Sequence, residues 1–261
     1  MTAGDFLAAL PSDALVAALV LCRVSAAVML LPGLGEQEIP MTLRAATAFS
    51  LSCFVMPVVM THFQGVGIDS SVPPFVLARL VSGEFLSGLL LGLLARLMSL
   101  SLPVATQIIS TFVGLSSVLQ PDPDMGAQTT ALSRLGALAV PVLMLGTGLY
   151  QIPLMALVRS YDVFAPGHIL PAGDMAHVIS LTISASFKFS VELAGPFIAL
   201  GTLWQALLAI LSRFVPTMQA YSLAMPGQLL GGLMMFAVLS GSMIASWMAD
   251  MTHVLRLLPG F

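Results

Sequence analysis

The stretch FVLARLVSGEFLSGLLLGLLARLMSLSL, Phe75–Leu102, decides the fold. It runs well past the about 20 apolar residues that take a helix through the hydrocarbon core of a bilayer. It also lacks the alternation of apolar and polar positions that marks a half-buried strand. Similar apolar stretches occupy Ala14–Leu31, Ala45–His62, Val104–Leu119, Leu132–Val158, Ala176–Leu211 and Gly227–Ala249. Between them stand Pro32-Gly33-Leu34-Gly35, Gln64-Gly65-Val66-Gly67, Pro73-Pro74, Pro121-Asp122-Pro123, Pro166-Gly167, Pro171-Ala172-Gly173 and the segment from Pro216 to Pro226. Proline removes a backbone donor and restricts the residue before it, so these clusters predict helix ends. Six to seven long helices are expected. A spanning β-barrel would need short alternating segments with a turn about every 10 residues, and the continuous apolar runs exclude it.

Composition agrees. Of 261 residues, 58% are hydrophobic and 8% are charged, with a mean hydropathy of +1.01. A soluble domain carries about 25% charged residues, so this chain lacks the groups to cover a water-facing surface. No polar linker divides it, and residues 1–261 read as a single helical membrane domain. The net charge of −3 is spread over single residues. With no basic cluster there is no electrostatic footprint for nucleic acid. Cys22 and Cys53 lie in apolar stretches and read as buried thiols, and no zinc-type spacing occurs. Met1–Ser12 holds Asp5 and no Lys or Arg, so it lacks the basic start of a cleaved signal, and the first apolar segment is expected to be retained. The C-terminal residues do not form a prenylation box. Arg44, Arg79, Arg134, Arg159, Arg213 and Arg256 sit near segment ends, nearly one apiece. The positive-inside rule therefore gives no orientation.

Two features do not suit helices that face only lipid. Arg23, Glu84, Arg96, Lys188 and Glu192 fall inside apolar segments, where each charge costs roughly 2.5–3.5 kcal/mol at a helix centre. Pro103, Pro141, Pro153 and Pro196 interrupt the long segments. Some of these helices are therefore expected to face protein or water. Lys188 and Glu192, four residues apart, share a helix face and read as a mutually neutralising pair or a proton relay. Glu84 has no partner at helical spacing, since Arg79 is five residues back. A contact with another helix or subunit suits it better than proton handling. Gly88 with Gly92, and Gly227 with Gly231, have the spacing that lets helix backbones approach closely.

Val104–Leu119 is the most informative segment. Gln107, Ser110, Thr111, Gly114 and Ser117 recur every three or four residues, and Ile108, Phe112, Leu115 and Leu119 recur at the same period on another face. That is a narrow apolar stripe beside a small, uncharged polar one, stopped by Pro121-Asp122-Pro123. Two readings stay open: small polar groups packing against neighbouring helices, or a stripe lining an aqueous passage. No Gly-x-Ser-x-Gly elbow, His-Glu-x-x-His or phosphate loop is present. The four histidines are scattered, so no enzyme and no cofactor are expected.

Several of these residues carry a resemblance. Cys22-Arg23-Val24 to Leu31-Pro32, with Ile39-Pro40 and Arg44 before an apolar helix, resembles the opening of the FliR/SctT family of type III secretion export-gate membrane proteins. Ala105-Thr106-Gln107-Ile108-Ile109 through Val113-Gly114-Leu115-Ser116 to Asp122-Pro123 is similar to that family's central region. Ser212-Arg213-Phe214-Val215-Pro216-Thr217-Met218-Gln219, followed by Met225-Pro226, resembles its late loop, although the family usually has Asn at Gln219 and Gly-Phe at Ala224-Met225. The order and spacing of these motifs cover nearly the whole chain.

The resemblance implies an all-α polytopic protein of long, Pro-interrupted helical hairpins, one copy of which joins several FliP-like and FliQ-like subunits in a hetero-oligomeric gate. It implies FlhB-like and FlhA-like export partners, unfolded protein cargo in transit, and a place in the bacterial inner membrane at the flagellar basal body. It further implies that residues from about Ile108 to Asp122 plug the closed gate; within them Gly114, which lacks the side chain that restrains the backbone, is the candidate flexible point. Arg23, Glu84, Lys188, Glu192 and Arg213 are the candidate inter-subunit or buried charge contacts. The virulence-type injectisome homologue shares this fold and mechanism and remains an alternative. A secondary transporter would show paired discontinuous helices in two halves, and no internal repeat is visible. An intramembrane hydrolase would need a Ser–His or paired-Asp spacing that the chain does not offer.

Overall fold

The computed structural model describes residues 3–36, 38–64, 73–115, 130–167, 171–214, 220–256 and 258. Among the described residues every regular element is helical. In order these are α1 (Ala3–Val28), α2 (Met41–Val59) continued by a 3-10 turn (Met60–Phe63), α3 (Pro74–Ser99), α4 (Ser101–Val113), α5 (Ala131–Gly146), α6 (Gln151–Val163), α7 (Ala172–Phe214) and α8 (Ala220–Leu255). The protein is all-α. Four stretches are long and apolar enough to cross a membrane, Met41–Phe63, Pro74–Val113, Ala172–Arg213 and Ala224–Leu255, and a bent pair, α5 with α6, makes a fifth if counted as one span.

The eight helices exceed the expected six to seven because of one break. Leu132–Val158, read as one stretch, is divided between α5 and α6, which meet at 70°. The break falls on Gly146-Thr147-Gly148, where Gly148 takes φ +77°. The prolines interrupt less than anticipated. Pro103 and Pro153 are the third residues of α4 and α6, within a first turn whose donors have no intrahelical acceptor in any case. Pro141, Pro196 and Pro226 lie inside α5, α7 and α8, which continue through them. So α8 starts at Ala220, ahead of the turn expected to run to Pro226, and α1 starts at Ala3 rather than near Ala14. At 43 residues, α7 is about 65 Å long, roughly twice a hydrocarbon core.

The chain divides into two compact units. The first comprises Met1–Met98, Pro141–Thr182 and Thr252–Phe261. Its core takes a helical stripe from α1 (Val16, Leu19, Val20, Val24, Ala27, Val28) and packs it with Val55 and Val59 of α2, Leu80 and Leu91 of α3, and Leu157 and Tyr161 of α6. Glycine sets the closest approach. A Cβ on Gly88 would fall onto the Arg23 carbonyl, and one on Gly92 would sit 2.6 Å from the Ala27 oxygen. Backbone contact between α1 and α3 thus needs both positions bare.

The second unit comprises Ser99–Val140 and Ile183–Met251. Here α4 buries Ala105, Ile109 and Val113, with Ala194 and Phe197 of α7 and Met243 and Trp247 of α8 also in the interior. The glycines that matter are not the predicted pair. Gly231 has open space and Gly227 makes only ordinary contact with Trp204, while Gly201 and Gly232 receive Phe112 and Val113. Leu203, Leu207 and Ile210 of α7 and Leu230, Met234 and Val238 of α8 are exposed, an apolar surface of the kind that meets lipid or other protein.

Candidate functional site

Helix α4 (Ser101–Val113) carries the first part of the predicted gate segment, and it ends earlier than expected. The stop comes at Gly114, which caps the helix in the left-handed conformation with φ +87°. Glycine adopts that conformation without the Cβ penalty and commonly closes helices in this way. Ser117 and Asp122 lie outside the described residues.

Both ends of α4 are tied to α8 by side-chain hydrogen bonds. The Trp247 indole Nε1 donates to Ser101 Oγ at 3.0 Å, buried, at the N-terminal end. The Gln228 Nε2 donates to the Phe112 carbonyl at 2.9 Å at the C-terminal end. That carbonyl is among the last four of the helix, which have no intrahelical donor. Gln107 holds a third connection. Its Oε1 accepts from the backbone N–H and the hydroxyl of Thr130, at 3.3 and 3.0 Å, immediately before α5.

The predicted polar stripe does not keep to one level of burial. Ser110 and Thr106 are buried with Ile109 and Val113, while Ile108, Phe112 and Leu115 are half-buried and Thr111 is exposed. The hydroxyls bond to their own helix: Ser110 Oγ to the Gln107 carbonyl at 2.9 Å and Thr111 Oγ1 to the same oxygen at 3.1 Å. A pocket of about 170 Å³ lies beside the C-terminal end of α4. Phe112, Val113, Phe197, Gly201, Trp204 and Gln228 are among its walls.

In the first unit, Arg23 of α1 and Glu84 of α3 form a fully buried bidentate pair. Arg23 Nε donates to Oε2 at 2.7 Å and Nη2 to Oε1 at 3.0 Å. Arg23 Nη1 also donates to Ser160 Oγ at 3.1 Å, and Nη2 to the Phe164 carbonyl at 3.0 Å. The guanidinium carbon lies 3.8 Å from the centre of the Tyr161 ring, a cation–π contact. One arginine thereby links α1, α3 and α6. Arg96 Nη1 similarly donates to Glu36 Oε1 at 2.7 Å.

The remaining charged candidates lie elsewhere. Lys188 and Glu192 of α7 approach each other to 3.7 Å with side chains 78% and 57% exposed. Arg213, near the end of α7, is exposed. The structure thus brings Arg23 and Glu84 together, and separately Lys188 and Glu192. Sequence reasoning missed Gln228 and Trp247, for which the only signal was a lone amide and a lone indole in the apolar helix α8. Among the described residues no group of three or more His, Cys, Asp or Glu side chains could hold a metal ion. The chemistry these contacts perform is mechanical: they fix helix ends and helix spacing.

A helical chain with four or five described stretches long and apolar enough to cross a membrane is a membrane protein, and comparison with known proteins narrows this. The family model for bacterial export proteins, family 1, matches residues 14–254. The flagellar biosynthetic protein FliR of Caulobacter vibrioides is 31% identical over 233 residues, covering 89% of this chain and 91% of that protein. FliR of Bacillus subtilis is 25% identical over 211 residues, 80% of this chain and 79% of that protein. The Yop proteins translocation protein T of Yersinia pestis is 27% identical over 211 residues, with 80% and 79% covered. The chain belongs to the bacterial export protein family 1, the FliR/SctT family. Proteins of this family are membrane components of protein export and associate with other components of the export apparatus.

Proposed function

We propose that this chain is the FliR-type subunit of a flagellar type III export gate, in the bacterial inner membrane at the basal body. With FliP-like and FliQ-like subunits it forms the channel through which unfolded flagellar proteins leave, and FlhB-like and FlhA-like proteins work beside it. The whole chain acts as one export-gate membrane domain, without catalysis of its own. The observation that carries this reading is the 31% identity to a FliR protein over 91% of that protein's length.

Within that function, the residues from Ile108 to Asp122 act as the plug, and Gly114 is the point at which the backbone turns. The reading is supported by the left-handed cap at Gly114 and by the Gln228 bond to Phe112 just before it. Arg23 with Glu84 serves as the internal clasp. Lys188, Glu192 and Arg213 face neighbouring subunits.

Co-purification tests the assignment. An affinity-tagged full chain, extracted from native membranes, is expected to bring the FliP-like and FliQ-like proteins with it. A chain that purifies alone as a stable, transport-competent protein would overturn it. The injectisome reading has its own support in the Yersinia match. Deletion of the gene separates the two: loss of filament and motility marks the flagellar system, and loss of effector secretion with motility intact marks the other.

A further inference from the structure

Two bare glycines seat the last turn of α4. A Cβ on Gly201 of α7 would fall 2.7 Å from the Phe112 ring, and one on Gly232 of α8 would fall 2.5 Å from Val113 Cγ1. Gln228 of α8 closes the seat by donating to the Phe112 carbonyl at 2.9 Å. The pocket of about 170 Å³ adjoins this turn, with Phe112 in its wall and Gly227 and Gly231 on its α8 side. A Cβ on Gly231 would meet nothing within 4 Å, so the pocket has room there. A cavity of about 150 Å³ lined by apolar side chains accepts benzene. One phenyl ring therefore fits.

The same wall holds a donor without an acceptor. Trp204 lies three residues after Gly201 on α7, on the same helix face, and its ring lies 3.9 Å from where a Cβ on Gly227 would stand. Its Nε1 is buried and bonds to nothing among the described residues. Leaving a buried donor unmade costs more than a typical hydrogen bond returns. Two donors, Gln228 Nε2 and Trp204 Nε1, thus belong to residues of this pocket, and only the first is engaged. The Phe112 carbonyl lies beyond the intrahelical ladder, so it exchanges one side-chain donor for another without breaking α4.

We propose that Phe112 is a two-position latch at the start of the plug, an inference that rests on the plug assignment made above. In the seated position its ring lies on Gly201 and its carbonyl accepts from Gln228. In the released position the ring turns into the pocket against Gly227 and Gly231, and the carbonyl accepts from Trp204 Nε1. Each position keeps one hydrogen bond and one packed ring, so the two are close in energy, as a bistable element requires. Release frees the segment from its tie to α8 at Gln228. Gly114 follows two residues later, and its backbone carries no side chain to resist the turn.

Fluorine NMR of 4-fluorophenylalanine placed at position 112 reads both positions, in the full chain extracted from native membranes with the subunits that accompany it. Two signals are expected. Gln228→Leu should raise the minor one about two- to tenfold, the weight of one net hydrogen bond, and Trp204→Phe should lower it by a similar factor. Gly231→Leu fills the pocket from an exposed position. It should erase the minor signal and lower export severalfold, with recovery of partner subunits unchanged. Gly241→Leu, on the same helix and also in open space, should do neither. A single signal in both the wild type and Gln228→Leu would overturn the latch. So would a minor signal that Trp204→Phe leaves unchanged, or one that survives Gly231→Leu. The plug assignment fails separately: the expected signals together with normal export by both Gly231→Leu and Gly114→Val would remove the plug and leave the latch standing.

Discussion

The guanidinium of Arg23 and the carboxylate of Glu84 meet edge to edge, at 2.7 and 3.0 Å, with neither side chain exposed. Gly88, one turn after Glu84, makes this possible. Its missing side chain lets the Arg23 backbone rest on α3, and the two charged groups come within bonding distance. Ser160 and the Phe164 carbonyl then engage two further donors of the guanidinium. A buried charge is tolerated when its partner and its hydrogen bonds are all in place.

Removing one partner should therefore be worse than removing both. Glu84→Gln or Arg23→Met is expected to destabilise the protein by about 3–5 kcal/mol, the usual cost of a stranded buried charge. The double variant Arg23→Met with Glu84→Met should recover much of that loss. Thermal unfolding of the purified protein in detergent, read by circular dichroism, gives the comparison. Equal losses in the single and double variants would show that the pair is not the source of the stability.

At Gly114 the constraint is the backbone rather than space. A side-chain carbon added there would meet Gln228 first, at an ordinary contact distance of 3.5 Å, but φ is +87°. Gly114→Val should cost about 1–3 kcal/mol locally, and Gly114→Asn much less, since asparagine tolerates that region. Secretion of flagellar subunits is expected to fall severely with valine and mildly with asparagine, while co-purification with partner subunits stays intact. Normal secretion by the valine variant would remove the plug role.

The hydrogen bonds from α8 to both ends of α4 give a third expectation. Gln228→Leu deletes the donor to the Phe112 carbonyl, a loss of about 0.5–1.5 kcal/mol. Hydrogen exchange should quicken severalfold over residues 112–115 and stay unchanged around Ser101. Trp247→Phe should do the reverse, loosening the N-terminal end near Ser101. Uniform change along α4 in both variants would argue that α4 opens as one piece.

Much of the architecture was legible because hydropathy reports helices directly. The all-α class and the approximate positions of the long segments followed from apolar length alone. The elbow at Gly146-Thr147-Gly148 was missed because the apolar run continues on both sides, and hydropathy does not register a change of direction. The prolines misled for a related reason. Pro141, Pro196 and Pro226 each cost a helix one bond, yet the helices extend through them. The Glu84 partner was invisible because Arg23 is 61 residues away, and helical spacing only finds neighbours within a turn or two. Gln107 was recognised as part of a polar stripe, but its bond to Thr130 joins residues 23 apart, beyond the reach of helical spacing.

Lys188 and Glu192 support a final prediction. Their 3.7 Å separation and high exposure leave most of each group's bonding capacity unused, near the middle of the long apolar helix α7. Against lipid each charge would cost roughly 2.5–3.5 kcal/mol, so a polar surface from a neighbouring subunit is the favourable setting. Exchanging the two residues, Lys188→Glu with Glu192→Lys, keeps the intrahelical pair and reverses what a neighbour meets. If the pair only neutralised itself, the exchange would be silent. We expect instead that membrane insertion and the melting of the isolated chain are unchanged, while recovery of partner subunits in co-purification drops severalfold. Lys188→Leu with Glu192→Leu should also lower recovery, because it removes the polar contact without reversing it. Wild-type recovery with the exchanged pair would assign these residues to self-neutralisation alone.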